Sequence, residues 1–186
     1  MIDSNAARSA RLAWLASCEP SRFLHRNVPI LDTGLPVLDA PCGFGRNSLL
    51  LVRQGYEVVG ADIDCERIDF LRRRAESDPL VKKHLNLVGC DLNAQSLPFQ
   101  REIFGTLIIV HFVPQHWENY LDLLRAGGCL VFETMGGQGG NYLQLPLKGQ
   151  MGEVLEPSFA ILSYREQPVG PPEANAAAVR LVARKL

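Results

Sequence analysis

The chain has 186 residues, 47% of them hydrophobic and 21% charged, with a formal net charge of −1. That size and balance fit one globular domain with a substantial core, and give no electrostatic reason to expect nucleic acid or an anionic membrane as partner. No apolar run approaches the roughly 20 residues that span a bilayer, and the first residues, with Asp3 and three arginines by position 22, lack the apolar stretch of a secretion signal.

Five cysteines, at 18, 42, 65, 90 and 129, are scattered and form no Cys-x-x-Cys pair. Neither a metal site nor a disulfide framework is expected, and reduced thiols in a cytoplasmic protein are the simplest account. In chain order, Ala6 to Leu15 has helical spacing, Glu19-Pro20-Ser21 interrupts it, and Arg22 to Arg26 reads as a short turn. Strand one is Val37 to Asp39. A helix follows from about Asn47 and stops at Gly55, a suitable C-cap. Strand two is Glu57 to Ala61, and the next helix runs from about Cys65 to Glu76, stopped by Asp78-Pro79. Its Arg72-Arg73-Arg74 run reads as a solvated face.

Leu85 to Val88 reads as strand three, and Gly105 to His111 as a strand apolar enough to be buried and parallel. A helix over Gln115 to Arg125 would end at Gly127-Gly128, before a fifth strand at Cys129 to Glu133. Met135 to Tyr142 is too glycine-rich for regular structure, and a weak helix covers Gly149 to Leu155. Strands at Ser158 to Tyr164 and Ala178 to Arg184, separated by Pro168 to Pro172, suggest a hairpin-like ending. Strands alternating with helices, then an antiparallel finish, describe a three-layer α/β sandwich. The expected organisation is one domain over 1–186, with an N-terminal helical segment (1–30) before an α/β core (31–186).

The most informative segment is Val37-Leu38-Asp39-Ala40-Pro41-Cys42-Gly43-Phe44-Gly45, followed 17 residues after the second glycine by Asp62 at the end of an apolar run. Strand, glycine turn, helix, strand and acid is the arrangement that binds the ribose of an adenine nucleoside. The glycines allow close backbone approach, and the acid can accept both ribose hydroxyls. A dinucleotide site normally has glycine or alanine at the third motif position, where this chain has Ser48. The chain also lacks a second nucleotide-binding half, so a nicotinamide-dependent oxidoreductase is the weakest reading.

These residues resemble the first motif of the class I S-adenosylmethionine-dependent methyltransferases. The resemblance continues through Val59-Gly60-Ala61-Asp62, Gly89-Cys90-Asp91-Leu92 and Leu124 to Leu130, in the family's order and spacing. Gly45-Arg46-Asn47-Ser48-Leu49 and the small size look like the tellurite-resistance methyltransferase group, whose members methylate small acceptors. The resemblance implies a Rossmann-like, seven-stranded, mostly parallel sheet with one antiparallel strand near the C-terminus. It also implies that Gly43 and Gly45 line the methionyl part of S-adenosylmethionine and that Asp39 anchors it through its amino group or a water. Asp62 would take the ribose hydroxyls, Ile63 and Leu92 the two adenine faces, and Asp91 the adenine amino group. Arg46 either pairs with the cofactor carboxylate or is solvated. Pro41 departs from the family's usual glycine and predicts a slightly different loop path.

Substrate-side candidates should lie at the carboxyl ends of strands four and five, where open α/β sheets bind ligands. His111 is a candidate general base, with backbone capping as the alternative, and Phe112, Glu133, Gln138 and Asn141 lie in the same region. Tyr142 is set to close over an acceptor or to pack in the core. His116 and Trp117 read as helix packing before pocket lining, and Cys42 as packing before a nucleophile. The expected activity is methyl transfer to a small soluble acceptor by a monomer or homodimer. The alternative is a non-catalytic S-adenosylmethionine-binding regulatory or partner subunit, which a filled acceptor end would indicate.

Overall fold

The computed structural model describes residues 18–32, 34–134, 143–156 and 158–186. The helix expected over Ala6 to Leu15, the glycine-rich loop, and Gln138, Asn141 and Tyr142 lie outside the described residues. The elements are α1 (Arg22–Asn27), β1 (Val37–Asp39), α2 (Arg46–Arg53), β2 (Val58–Asp62), α3 (Cys65–Glu76), α4 (Pro79–His84) and β3 (Leu85–Gly89). They continue with β4 (Phe104–Val110), α5 (Trp117–Leu121), β5 (Leu124–Glu133), α6 (Gln150–Leu155), β6 (Phe159–Val169) and β7 (Ala176–Lys185).

The strands form one seven-stranded sheet in the order β3-β2-β1-β4-β5-β7-β6. Neighbours from β3 to β5 pair in parallel, whereas β7 runs antiparallel to both β5 and β6. One antiparallel strand, placed between β5 and the edge, is therefore what the resemblance implied. All seven residues of β4 are buried, as a strand covered on both faces must be. Alternate residues separate onto the two faces. Ile108, Val110, Val131 and Val182 pack with Leu24, Leu49, Ile68, Leu71 and Val81 from α1 to α4. Leu107, Ile109, Leu130, Phe132 and Leu181 pack with Trp117, Tyr120, Met151 and Leu155 from α5 and α6. Two apolar layers around one sheet give the three-layer sandwich.

One local reading is extended and two are corrected. Asp78-Pro79 ends α3 and also starts α4, because the Asp78 carboxylate accepts from the Leu80 and Val81 N–H groups and proline suits the first helical turn. The helix expected over Gln115 to Arg125 is only Trp117–Leu121. Leu124 already pairs with Phe104 in the sheet, and Arg125 turns away to bind Asp32. Gly127 and Gly128 thus lie inside β5, where the register shifts, and not at a helix end. The final hairpin is longer than expected, with Pro168 inside β6 opposite Ala177. Proline is tolerated there because β6 is an edge strand.

The turn after β1 is shaped by two glycines in the left-handed region, Gly43 at φ 57° and Gly45 at φ 76°. Gly45 has a second constraint: a Cβ there would lie 2.2 Å from Leu71 Cδ2 on α3. Nothing lies within 4 Å of the corresponding position at Gly43, which faces open space. Gly45→Ala is expected to destabilise the fold by about 2 kcal/mol, from left-handed strain and overpacking together. Urea denaturation of the two proteins measures this directly.

Candidate cofactor turn and acceptor cavity

β1 ends at Asp39, and the chain then passes through a cis Ala40–Pro41 peptide into the glycine turn. The Cys42 N–H continues the parallel pattern by donating to Ala61 O at 2.8 Å, which keeps the turn against the tip of β2. At that tip, Asp62 is 1% exposed. Its Oδ2 accepts from the Gly43 N–H and its Oδ1 from the Asp64 N–H, each at 2.9 Å. Arg67 Nη1 lies 3.5 Å from the same carboxylate, and the Arg67 guanidinium sits 5.8 Å from the centre of the Phe44 ring. The acid and the turn are therefore brought together, but the carboxylate is already engaged by backbone and by Arg67. Sequence reasoning missed Arg67; its position on the first turns of α3 is the only signal that points to it.

Asp39 is fully buried and accepts from Ser48 Oγ, while its Oδ1 has no hydrogen-bond partner. Burial pushes its carboxyl up to about 7, against the lowering effects of the Ser48 hydrogen bonds and the Arg46 charge. Ser48, odd for a dinucleotide motif, has a local purpose: glycine or alanine there would remove the hydroxyl that Asp39 accepts from. An orphaned buried acceptor beside an open glycine turn suits a ligand that brings a cationic or N–H donor. The α-amino group of S-adenosylmethionine is such a donor, so these residues fit that cofactor.

Of the expected adenine contacts, Ile63 is 63% exposed just beyond β2, an apolar surface free to take a ring. Asp91 is exposed and accepts from the Asn93 N–H at 2.9 Å. Leu92 is 5% exposed and packs within the core of the α5 face, and its carbonyl accepts from Tyr120 Oη at 2.8 Å.

His111 follows β4 with φ 59°, a left-handed conformation uncommon for any residue but glycine. Its N–H donates to Glu133 O at 2.8 Å, so its backbone does cap the strand. Its ring Nδ1 lies 3.1 Å from Arg46 Nη2. Partial desolvation and then the Arg46 charge lower the imidazole pKa. The neutral ring can thus accept from Arg46 through Nδ1. Beside it is a cavity of about 380 Å³ lined by Ser21, Arg22, Arg46, His111, Glu133 and Arg180 among others. Glu133 is buried at the end of β5, with Oε1 accepting from Arg180 Nε at 2.8 Å and Oε2 from Ser21 Oγ. Ser21 N in turn donates to Asn47 Oδ1 at 3.0 Å.

Arg22 and Arg180 were not identified from sequence. Arg180 becomes visible only through register, since antiparallel pairing places it opposite Glu133. Trp117 is buried edge-on against Phe132, with ring centres 5.1 Å apart, and His116 lies beside Glu118, so both serve the helix. Cys42 is buried, and burial raises its thiol far above the ordinary value, which excludes a ready thiolate. Among the described residues no cluster could hold a metal ion, and no helix is long and apolar enough to cross a membrane.

Residues 37–128 match the methyltransferase-domain family. Over this segment, just under half of its length, the chain is similar to the methyltransferases, and its fold is that of solved S-adenosylmethionine-dependent ones. Among particular relatives, it is 30% identical over 111 residues to the ubiquinone biosynthesis O-methyltransferase of Cereibacter sphaeroides, covering 59% of this chain and 44% of that one. The chain spans less than half the length of the curated relatives it matches. The structure of TehB from Haemophilus influenzae superposes with a TM-score of 0.67 at 20% identity, over 88% of this chain and 61% of that one. A geranyl diphosphate methyltransferase in complex with SAM gives 0.69 at 16% identity, over 96% and 85%.

Asp39 should leave a pH signature. The folded state holds its proton more tightly than the unfolded chain, whose ordinary value is 3.8. Its contribution to stability is therefore fullest below pH about 4 and declines as pH rises through about 7. Asp39→Asn should flatten that decline when urea denaturation is compared at pH 5 and pH 8. Arg46→Ala should move the His111 pKa upward, because a neighbouring cation is removed, and NMR titration of the ring reads this shift.

Proposed function

We propose that the protein transfers the methyl group of S-adenosylmethionine to a small acceptor. The observation that carries this reading is the juxtaposition of the Asp39 Oδ1 orphan and the open side of Gly43 with a separate cavity at the ends of β4 and β5. One region offers a cradle for the cofactor and the other leaves room for a substrate. When bound, the cofactor supplies a methyl on a sulfonium, already an excellent leaving group. The chain's task is then to position the acceptor and keep water out. Asp39 would accept from the cofactor amino group, with Gly43 and Gly45 alongside the methionyl part.

Asp62 would take the ribose hydroxyls through its remaining acceptor capacity once Arg67, whose side chain is 41% exposed, moves aside. Ile63 would lie against the adenine, with Asp91 toward its amino group and Leu92 behind. Arg46 starts α2 at the glycine turn and is placed to meet the cofactor carboxylate. In the neutral ring that accepts from Arg46 through Nδ1, the other nitrogen already carries the hydrogen, so for a hydroxyl or amine acceptor His111 would receive the proton on Nδ1, once Arg46 turns to the cofactor carboxylate. A thiol or a heavier chalcogen needs no such base. Tyr142 is proposed on the acceptor side, as an expectation from sequence. The single-domain organisation, the monomer or homodimer and the cytoplasmic setting are proposed with it. The cavity favours catalysis over the regulatory-subunit alternative, which predicts a filled acceptor end. Ser48, committed to Asp39, favours the adenosyl cofactor over a nicotinamide.

Isothermal titration should show S-adenosylmethionine and S-adenosylhomocysteine binding and NADH failing to bind. Asp62→Ala should weaken both adenosyl ligands at least tenfold. Selective NADH binding would overturn the proposal.

A further inference from the structure

The cavity beside His111 has a charge imbalance that methyl transfer itself does not require. Three guanidinium groups, of Arg22, Arg46 and Arg180, line it against the one carboxylate of Glu133. That carboxylate is fully used, with one oxygen accepting from Arg180 Nε and the other from Ser21 Oγ. The remaining titratable neighbour, His111, is held toward the neutral form by partial desolvation and Arg46. Arg22 makes no hydrogen bond or ion pair with the described residues, and its side chain is exposed at the cavity edge. An enclosure with surplus positive charge attracts an anion, more strongly where its walls exclude water.

The sheet order decides which anion. Arg46 adjoins the glycine turn and is within reach of the cofactor's own carboxylate. Arg180 is on β7, three strands away from β1 in the order β1-β4-β5-β7. At about 4.8 Å per strand, its backbone is about 14 Å from the strand that carries the turn. Arg180 is therefore on the acceptor side of the cavity, together with Arg22 from α1. Glu133 fixes the Arg180 guanidinium through Nε, which orients the group without neutralising the cavity.

We propose that the acceptor is a small anion, bearing a carboxylate or phosphate-like group that Arg22 and Arg180 bind while its nucleophilic atom faces the methyl. This deepens, and rests on, the methyl-transfer reading. Guanidinium groups suit both anion types through paired N–H donors.

The test uses the full chain saturated with S-adenosylhomocysteine, titrated with benzoate, with neutral benzamide of the same shape, and with inorganic phosphate. Benzoate or phosphate should bind, benzamide should not, and the better anion defines the class. Arg22→Met and Arg180→Met should each weaken that anion at least tenfold, with S-adenosylhomocysteine affinity changed less than threefold. Arg22 is exposed, so its variant tests the proposal even if Arg180→Met disturbs Glu133. Equal binding of benzamide, binding of neither anion, or anion affinity unchanged in both variants would overturn the proposal. Displacement of S-adenosylhomocysteine by the anion would also overturn it, by assigning these arginines to the cofactor. The same titrations without cofactor separate the two readings. Arginine-dependent anion binding by a protein that ignores S-adenosylhomocysteine would sink the cofactor assignment and leave the anion site standing.

Discussion

The hydrogen bond from the Gly43 N–H to the Asp62 carboxylate joins the two halves of the proposed cofactor site. β1 delivers the turn, β2 delivers the acid, and the bond fixes the distance between them. Gly45 then sets α2 so close to α3 that Leu71 fills the space where a side chain would sit. Asp39 is held from the other side by Ser48 on the same helix. The Ser48–Asp39 bond is buried and the Gly43–Asp62 bond partly so, and losing one partner of the buried pair strands the other in an apolar setting. The turn's shape is consequently a property of β1, β2, α2 and α3 together.

Much of this was legible in the sequence. The spacing of Asp39, Gly43, Gly45 and Asp62 named the turn and the acid because local chain geometry leaves few ways to place them. The α3 boundaries, about Cys65 to Glu76, were read with Asp78-Pro79 as stop, and the structure supplies Asp64 as the cap. Expectation failed where tertiary contacts outweighed local preference. Leu124 and Arg125 continue a helical pattern, yet pairing with Phe104 and an ion pair with Asp32 draw them into β5. Likewise, nothing near Arg180 in the sequence signals a site. It gains its meaning from antiparallel register with Glu133, a residue 47 positions earlier.

The two regions of the site differ in how they are built. The proposed cofactor side is assembled from consecutive elements, β1 to α3, with short connections and mostly backbone donors. The proposed acceptor side is assembled from α1, the first turn of α2, the ends of β4 and β5, and β7. Its polar atoms are side chains, and its left-handed His111 is a point of backbone strain of the kind that collects at functional sites. A fold that keeps the first region constant can change the second by substituting a few side chains, which is how one architecture serves many acceptors.

The insertion of β7 between β5 and β6 has a consequence for the order of assembly. Among the described residues β6 hydrogen-bonds to no strand except β7, and β5 has its outer edge open until β7 arrives. During synthesis β6 emerges before the strand that anchors it, and Glu133 waits at an unfinished edge for Arg180. Such non-local closure is slow, and leaves sheet edges exposed to other chains in the meantime. The cofactor turn can form early from neighbouring segments, while the acceptor cavity is among the last features of the molecule to exist. A nascent or C-terminally clipped chain would therefore retain the elements of the proposed nucleoside site after losing those of the proposed acceptor site.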